Sequence, residues 1–165
     1  MNWRSCRRSA AADLPSVQPS DVRLLDAPFD PAAELGAFTA AHGGAGGIAS
    51  FLGQVRGAAG TDLLELRHYA PLTLPGMRDL GRVCAARWQL DGLLIIHRTG
   101  QLGPGAPIVL VAAAAKHRRQ AFAATDFAMD HLKSQSWFWK RERSGGVWRW
   151  IEPRADDHAG LARWG

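Results

Sequence analysis

Lysine is scarce in this chain. It fills three of the 20 basic positions, Lys116, Lys133 and Lys140, all in one C-terminal stretch, and arginine fills the rest. Where a bare positive charge was wanted, guanidinium served, so these three positions are candidates for a need specific to ammonium. A lysine is a compact charge whose pKa moves on burial, and it can give or take a proton that arginine in effect cannot. Long apolar runs are also missing. None approaches the roughly 20 residues that a membrane-spanning helix takes, so no membrane partner is expected. The two cysteines, Cys6 and Cys84, are too few for a disulfide framework, which fits a reducing, cytoplasmic setting. Six histidines show no HExxH-type pairing, and no metal site is expected. The glycine run 43–47 lacks the Gly-Lys-Ser/Thr ending of a phosphate-binding loop, and no Gly-x-Ser-x-Gly elbow is present.

At 165 residues, with 47% hydrophobic and 21% charged side chains, the chain fits one soluble domain, placed at 21–165. Residues 1–20 carry Arg4, Arg7 and Arg8 without an apolar segment, which excludes a secretory signal. A transit peptide and a disordered tail are the readings left, and the tail is preferred.

Strands and helices alternate. Asp21–Leu25 reads as a short strand. Asp30 and Pro31 supply the N-cap and first position of a helix reaching Ala41, which the glycine-rich loop 42–47 ends. Ile48–Arg56 and Leu63–Tyr69 read as a hairpin-like strand pair across a Gly57–Gly60 loop. Met77, Leu80, Cys84 and Trp88 recur at helical spacing within Leu74–Leu90, with Cys84 as a small buried hydrophobe. Leu93–His97 and Ile108–Ala115 are continuously apolar and read as buried strands. Phe122, Thr125, Met129 and Leu132 mark an amphipathic helix over 117–133. A further strand, Val147–Glu152, follows Ser144-Gly145-Gly146. The fold class expected is α/β or α+β, a sheet with helices packed on it.

The net charge of +5 is concentrated. Between Ala113 and Arg154, nine Lys/Arg face four acids, while the other segments cancel, so this region should meet an anion. Lys116, His117, Arg118 and Arg119 crowd a helix N-terminus, where the macrodipole disfavours cations. Either a phosphate docks there, held by backbone amides and side chains together, or the cluster is a solvated turn. Lys133 ends that helix, where a cation suits the dipole and needs no function. Lys140 follows Trp137-Phe138-Trp139. Aromatic neighbours would desolvate its ammonium, or its stem would merely cover their rings. Along the helix axis His117 and Lys133 lie about 24 Å apart, so they share a small ligand only if the chain folds back or a second protomer completes the pocket. Tryptophans among arginines also fit a single-stranded nucleic-acid platform, but no RNA-binding motif accompanies them.

Seven stretches in order carry a resemblance: Phe51-Leu-Gly-Gln-Val-Arg56-Gly, Leu66-Arg-His68-Tyr69, Ile96-His97-Arg98-Thr-Gly100, Lys116-His117-Arg118, Met129-Asp-His-Leu-Lys133, Phe138-Trp139-Lys140-Arg141-Glu142 and Trp150-Ile-Glu-Pro-Arg154. Over about two thirds of its length the chain resembles the large, catalytic subunit of molybdopterin synthase. The resemblance implies an α/β-hammerhead fold with a small antiparallel region. It also implies a sulfurtransferase that makes the molybdopterin dithiolene from cyclic pyranopterin monophosphate, drawing sulfur from the thiocarboxylated C-terminal Gly-Gly of a small ubiquitin-like carrier. A homodimer within a heterotetramer is implied, with no cofactor and no nucleic acid. Carried over by motif, Lys133 and Lys140 are catalytic, and Arg56, His117, Arg118 and Arg154 bind anionic substrate groups. The alternative is a non-catalytic anion- or RNA-binding module on the same fold. Two departures stand out. Residues 70–74 separate Tyr69 from Pro75-Gly-Met where the family passes almost directly, which should reshape a loop, and Lys116 stands where a small residue is usual.

Overall fold

Two strands with almost no polar side chains organise the molecule. They are seen in the computed structural model of the chain, which describes residues 20–57, 61–134, 137–152, 160 and 162–164. In Gly92–Arg98 every residue is buried, and in Pro107–Ala115 everything from Val109 onward is buried. Such strands need cover on both faces. The described elements, in order, are β1 (Ser20–Leu25), α1 (Pro31–Ala41), β2 (Gly47–Gln54), β3 (Thr61–His68), α2 (Ala70–Trp88), β4 (Gly92–Arg98), β5 (Gly100–Leu102), β6 (Pro107–Ala115), α3 (Arg118–Ser134), β7 (Phe138–Ser144) and β8 (Val147–Ile151).

They form two four-stranded sheets, β1-β4-β6-β2 and β5-β3-β7-β8. In the first, only β1 and β4 run parallel. One face, carrying Leu93, Ile95, Val109, Val111 and Ala113, packs on Met77, Leu80 and Cys84 of α2 and on Ala124, Phe127 and Leu132 of α3. The other, with Leu94, Ile96, Leu110 and Ala112, meets Phe38 of α1. Cys84 is fully buried, and desolvation pushes its thiol up to about 12, so it acts as a small apolar group. The fold is a mixed α+β one, as the element pattern implies.

The expected helices and strands are present, and three details differ. Strands β2 and β3 are not a hairpin. After an irregularity at Gly53/Gln54, Val55 exchanges hydrogen bonds with the Gly105–Ala106 turn, and the chain leaves the first sheet. The alternating Leu64-Glu65-Leu66-Arg67 of β3 then pairs with β7, whose Arg141 lies opposite Glu65. The periodicity of each strand is right, but partner choice is set by side chains far away in sequence. Residues 70–74 form the opening turns of α2 rather than a loop, with Pro75 inside the helix. That helix stops at Trp88, where Gln89 takes a left-handed conformation with φ 49°. Strand β5 begins at Gly100, whose φ of 86° lets the chain pass from the first sheet to the second. The expected tail, 1–20, lies outside the described residues except for Ser20, which opens β1.

Asp30 caps α1, its carboxylate accepting from the backbone of Ala32 at 2.9 Å and of Ala33 at 3.3 Å. Glycines 145 and 146, both at positive φ, make the tight turn from β7 to β8. Past β8, Trp164 packs edge-on to Trp88 and Phe127 and donates to Asp130 at 2.7 Å, while Arg163 bonds the same carboxylate at 2.7 and 2.9 Å. This clasp fastens the end of the described chain to the α2–α3 seam.

Within the glycine-rich run, Gly46 has a steric reason to be glycine. A Cβ there would stand 2.0 Å from the Lys116 carbonyl oxygen, whereas at Gly43 nothing lies within 4 Å. Gly46→Ala should therefore cost about 1–3 kcal/mol, as overpacking does. Gly43→Ala should stay within about 0.5 kcal/mol of the parent. Thermal melts of the two variants side by side check this.

Candidate active site

The Lys116–Arg118 turn joins β6 to α3, and all three side chains are exposed. It is pinned from below, because Gly46 approaches Lys116 and Gly47 approaches Arg118. Backbone amides of Gln120 and Ala121 turn back to the His117 carbonyl to start the helix. From there α3 runs unbroken to Ser134. Thr125 donates to the Ala49 carbonyl of β2 at 3.3 Å, so α3 and β2 advance in the same direction from the shared corner at Gly47 and Arg118. Exposed Arg56, just past β2, and exposed Lys133, near the end of α3, are thus carried to the far end of the first sheet.

Lys140 belongs to that far end as well. His97, last but one in β4, is paired with Val109 near the start of β6, and its ring stacks on Phe138 of β7 with centroids 3.9 Å apart and planes 12° apart. The stack docks the second sheet on the end of the first. Lys140 lies two residues beyond Phe138, on the same face of β7 and opposite Leu66 and Ile151. Trp139 points the other way. The aromatic run therefore does not enclose Lys140, which is exposed, contrary to the desolvation that neighbours in sequence would imply.

The described candidates thus divide into two groups at opposite ends of one sheet. Arg56, Lys133 and Lys140 lie toward the end where the second sheet docks. His117 and Arg118 stand at the other end, about 22–24 Å from Lys133 along α3 at the helical rise. Arg154 falls outside the described residues. A cleft of about 380 Å³ beside α1, lined by Leu35, Leu52 and Leu110 among others, contains none of the candidates. Among the described residues, no three His, Cys, Asp or Glu side chains gather as metal ligands would, and no helix is long and apolar enough to cross a membrane.

Two groups that sequence reasoning gave no role hold Lys140 in its setting. Glu65 is buried on the face of the second sheet opposite Lys140, where it accepts from Arg141, from Arg67 at 2.9 Å and from Gln101 at 3.5 Å. Hydrogen bonding from Arg141, foremost, holds its carboxyl below the usual range. Arg141 in turn lies 4.4 Å from the Trp148 ring centre. The second is His97. Its Nδ1 lies 2.8 Å from the Arg98 carbonyl, which can only accept, so Nδ1 carries the proton. Burial lowers its pKa to about 4, and the ring is neutral at physiological pH. The signal for Glu65 was the strict alternation of β3. Nothing local signals the His97 stack, which joins residues 41 apart.

Comparison with known proteins gives a consistent picture. The family model described as MoaE protein matches residues 24–135. A molybdopterin synthase catalytic subunit of Ralstonia nicotianae is 42% identical over 147 residues, covering 87% of this chain and 84% of that protein. The solved molybdopterin biosynthesis MoaE protein of Burkholderia ambifaria is 37% identical with a TM-score of 0.75, over 88% of this chain and 98% of its own. A Helicobacter pylori complex of subunits 1 and 2 of molybdopterin-converting factor shares the fold at 17% identity and a TM-score of 0.71, over 81% of this chain and 91% of its own.

His97 gives a pH test. Its folded pKa lies below the ordinary 6.5, so the unfolded chain binds the extra proton between pH 6.5 and about 4, and stability falls as pH drops through that window. His97→Phe keeps a ring against Phe138 and removes the titration. Its melting temperature should decline less steeply from pH 7 to pH 5 than that of the parent.

Proposed function

The chain belongs to the MoaE family of molybdopterin synthase catalytic subunits, and on that premise we propose how its residues divide the work of sulfur transfer. Lys133 and Lys140 receive the thiocarboxylated Gly-Gly end of a small carrier subunit and carry the chemistry. Arg56, His117, Arg118 and Arg154 hold the phosphate and other anionic groups of cyclic pyranopterin monophosphate. The observation that carries this reading is that the elements bearing two of the chain's three lysines lead toward the end of the first sheet where the second docks. Both reactants are anions. Converging cations orient them and stabilise charge as it develops, and an ammonium can also protonate an oxygen that leaves as sulfur takes its place. Guanidinium does the first and not the second.

The separation of the two cationic groups supports a homodimer in which the His117–Arg118 end of one protomer faces the Lys133–Lys140 end of its partner. With a carrier subunit on each protomer, the assembly is a heterotetramer. The setting is a reducing, cytoplasmic one in which a thiocarboxylate survives.

The direct test is single-turnover transfer from preloaded carrier to the cyclic pterin. Product formation is expected, and tight, sequence-tolerant RNA binding without turnover would replace this reading with that of a binding module. Lys133→Arg, in protein that folds and binds carrier normally, should lose on the order of 10²-fold in transfer rate, nearly as much as Lys133→Ala. Near-parental transfer would reduce Lys133 to a positioning charge. Mixing Lys133→Ala with Arg118→Ala protomers should restore transfer that neither gives alone, because mixed dimers contain one intact composite pocket. Failure of mixed dimers to recover any transfer would place all groups of a pocket in one protomer.

A further inference from the structure

Between the two lysines α3 ends and β7 begins, and the residue just before β7 is held in an unusual way. Trp137 is buried, and its indole packs closely against Gly76 of α2. A Cβ on Gly76 would fall 2.7 Å from Cε2 and Nε1 and 2.8 Å from Cζ2. One turn earlier in α2, fully buried Thr73 places Oγ1 3.1 Å from the Trp137 carbonyl and 3.0 Å from that of Tyr69, and its single proton is shared between the two. The backbone and the ring of Trp137 are thus both fixed by one short piece of helix. On either side of Trp137 stand further anchors. Leu132, next to Lys133, is in the core with α2, and Phe138, two residues before Lys140, is stacked on His97.

We propose that Trp137, seated on Thr73 and Gly76, is a positioning residue that sets where Lys133 and Lys140 stand relative to each other. The inference rests on the sulfur-transfer reading above and adds to it a support that reaches into residues 70–74, where this chain departs from the family pattern. Trp137 is too deeply buried to meet substrate, so its effect runs through the backbone. The α3 end delivers Lys133, and β7 begins one residue after Trp137 and delivers Lys140. With the carbonyl released, the start of β7 can shift against the end of α3 while Glu65 and Arg141 still hold the middle of the strand. A displacement of about 1 Å between groups that act together is enough to cost on the order of 10²-fold in rate. Binding of the carrier, which uses a wider surface, would change little.

The experiment compares Thr73→Val, Thr73→Ser and Trp137→Phe with the parent in single-turnover transfer, with carrier and pterin affinities measured separately. Valine keeps the shape and removes the hydroxyl, whereas serine keeps the hydroxyl. The expected result for Thr73→Val is a loss of about tenfold or more in the transfer step with affinities within about twofold, and for Thr73→Ser a return to near the parental rate. Trp137→Phe, which retains the carbonyl contact and loses part of the ring seat, should lose rate without losing affinity, and it keeps the inference testable if Thr73→Val fails to fold. A parental transfer rate in both Thr73→Val and Trp137→Phe overturns the inference while leaving the sulfur-transfer reading intact. So does a loss of rate that serine does not rescue, or one that falls equally on affinity. No transfer by the parent protein with loaded carrier removes that reading and this inference with it.

Discussion

Burial of β4 and β6 on both faces is the constraint on which the rest depends. A strand pair so devoid of polar side chains can exist only with helices on each side, and the chain supplies α2 and α3 on one face and α1 on the other. Because β6 leads directly into α3, the direction of the strand fixes where the helix starts, and the first cationic cluster lands at that corner. The length of α3 then fixes where it ends. The position of Lys133 follows from the geometry of the core rather than from any local preference of its own.

The second sheet is organised by charge instead of by continuous apolar surface. Leu64, Leu66 and Leu102 give it a small core, while on the opposite face one carboxylate, Glu65, gathers side chains from three strands. A carboxylate so enclosed would be costly if any partner were missing. The arrangement selects one register of β3 against β7, and that register puts Lys140 beside Leu66. The His97–Phe138 stack then sets this sheet against the first. Three different interactions, apolar burial, a shared carboxylate and a ring stack, therefore converge on the location of two ammonium groups.

Much of this was legible in the residues. Continuous apolar runs give β4 and β6, helical spacing gives α2 and α3, and the Asp30-Pro31 pair marks the start of α1 to the residue. What escaped is whatever depends on residues distant in sequence. β2 and β3 have the right periodicity for a hairpin, yet β2 pairs with β6, and β3 with β5 and β7, all distant in sequence. The aromatic run before Lys140 looks like a desolvating wall when read as a line, but in a strand alternate residues part to opposite faces. Residues 70–74 look like a loop because Pro71 and Pro75 interrupt helical propensity, whereas proline is tolerated in the first turn, where Pro71 falls, and burial of Thr73 and Met77 carries the helix past Pro75.

The clasp of Arg163 and Trp164 on Asp130, Trp88 and Phe127 has a bearing on how the protein is made. Synthesis proceeds from the N-terminus, so α2 and α3 leave the ribosome before the residues that cover their seam, and domains begin to fold as they emerge. Until Trp164 follows, Trp88 and Phe127 have each other and His131 but lack the third indole against them, and Asp130 lacks the donors on Arg163 and Trp164. Closing the clasp thus has to wait until residues 163 and 164 have been made, well after the helices it covers.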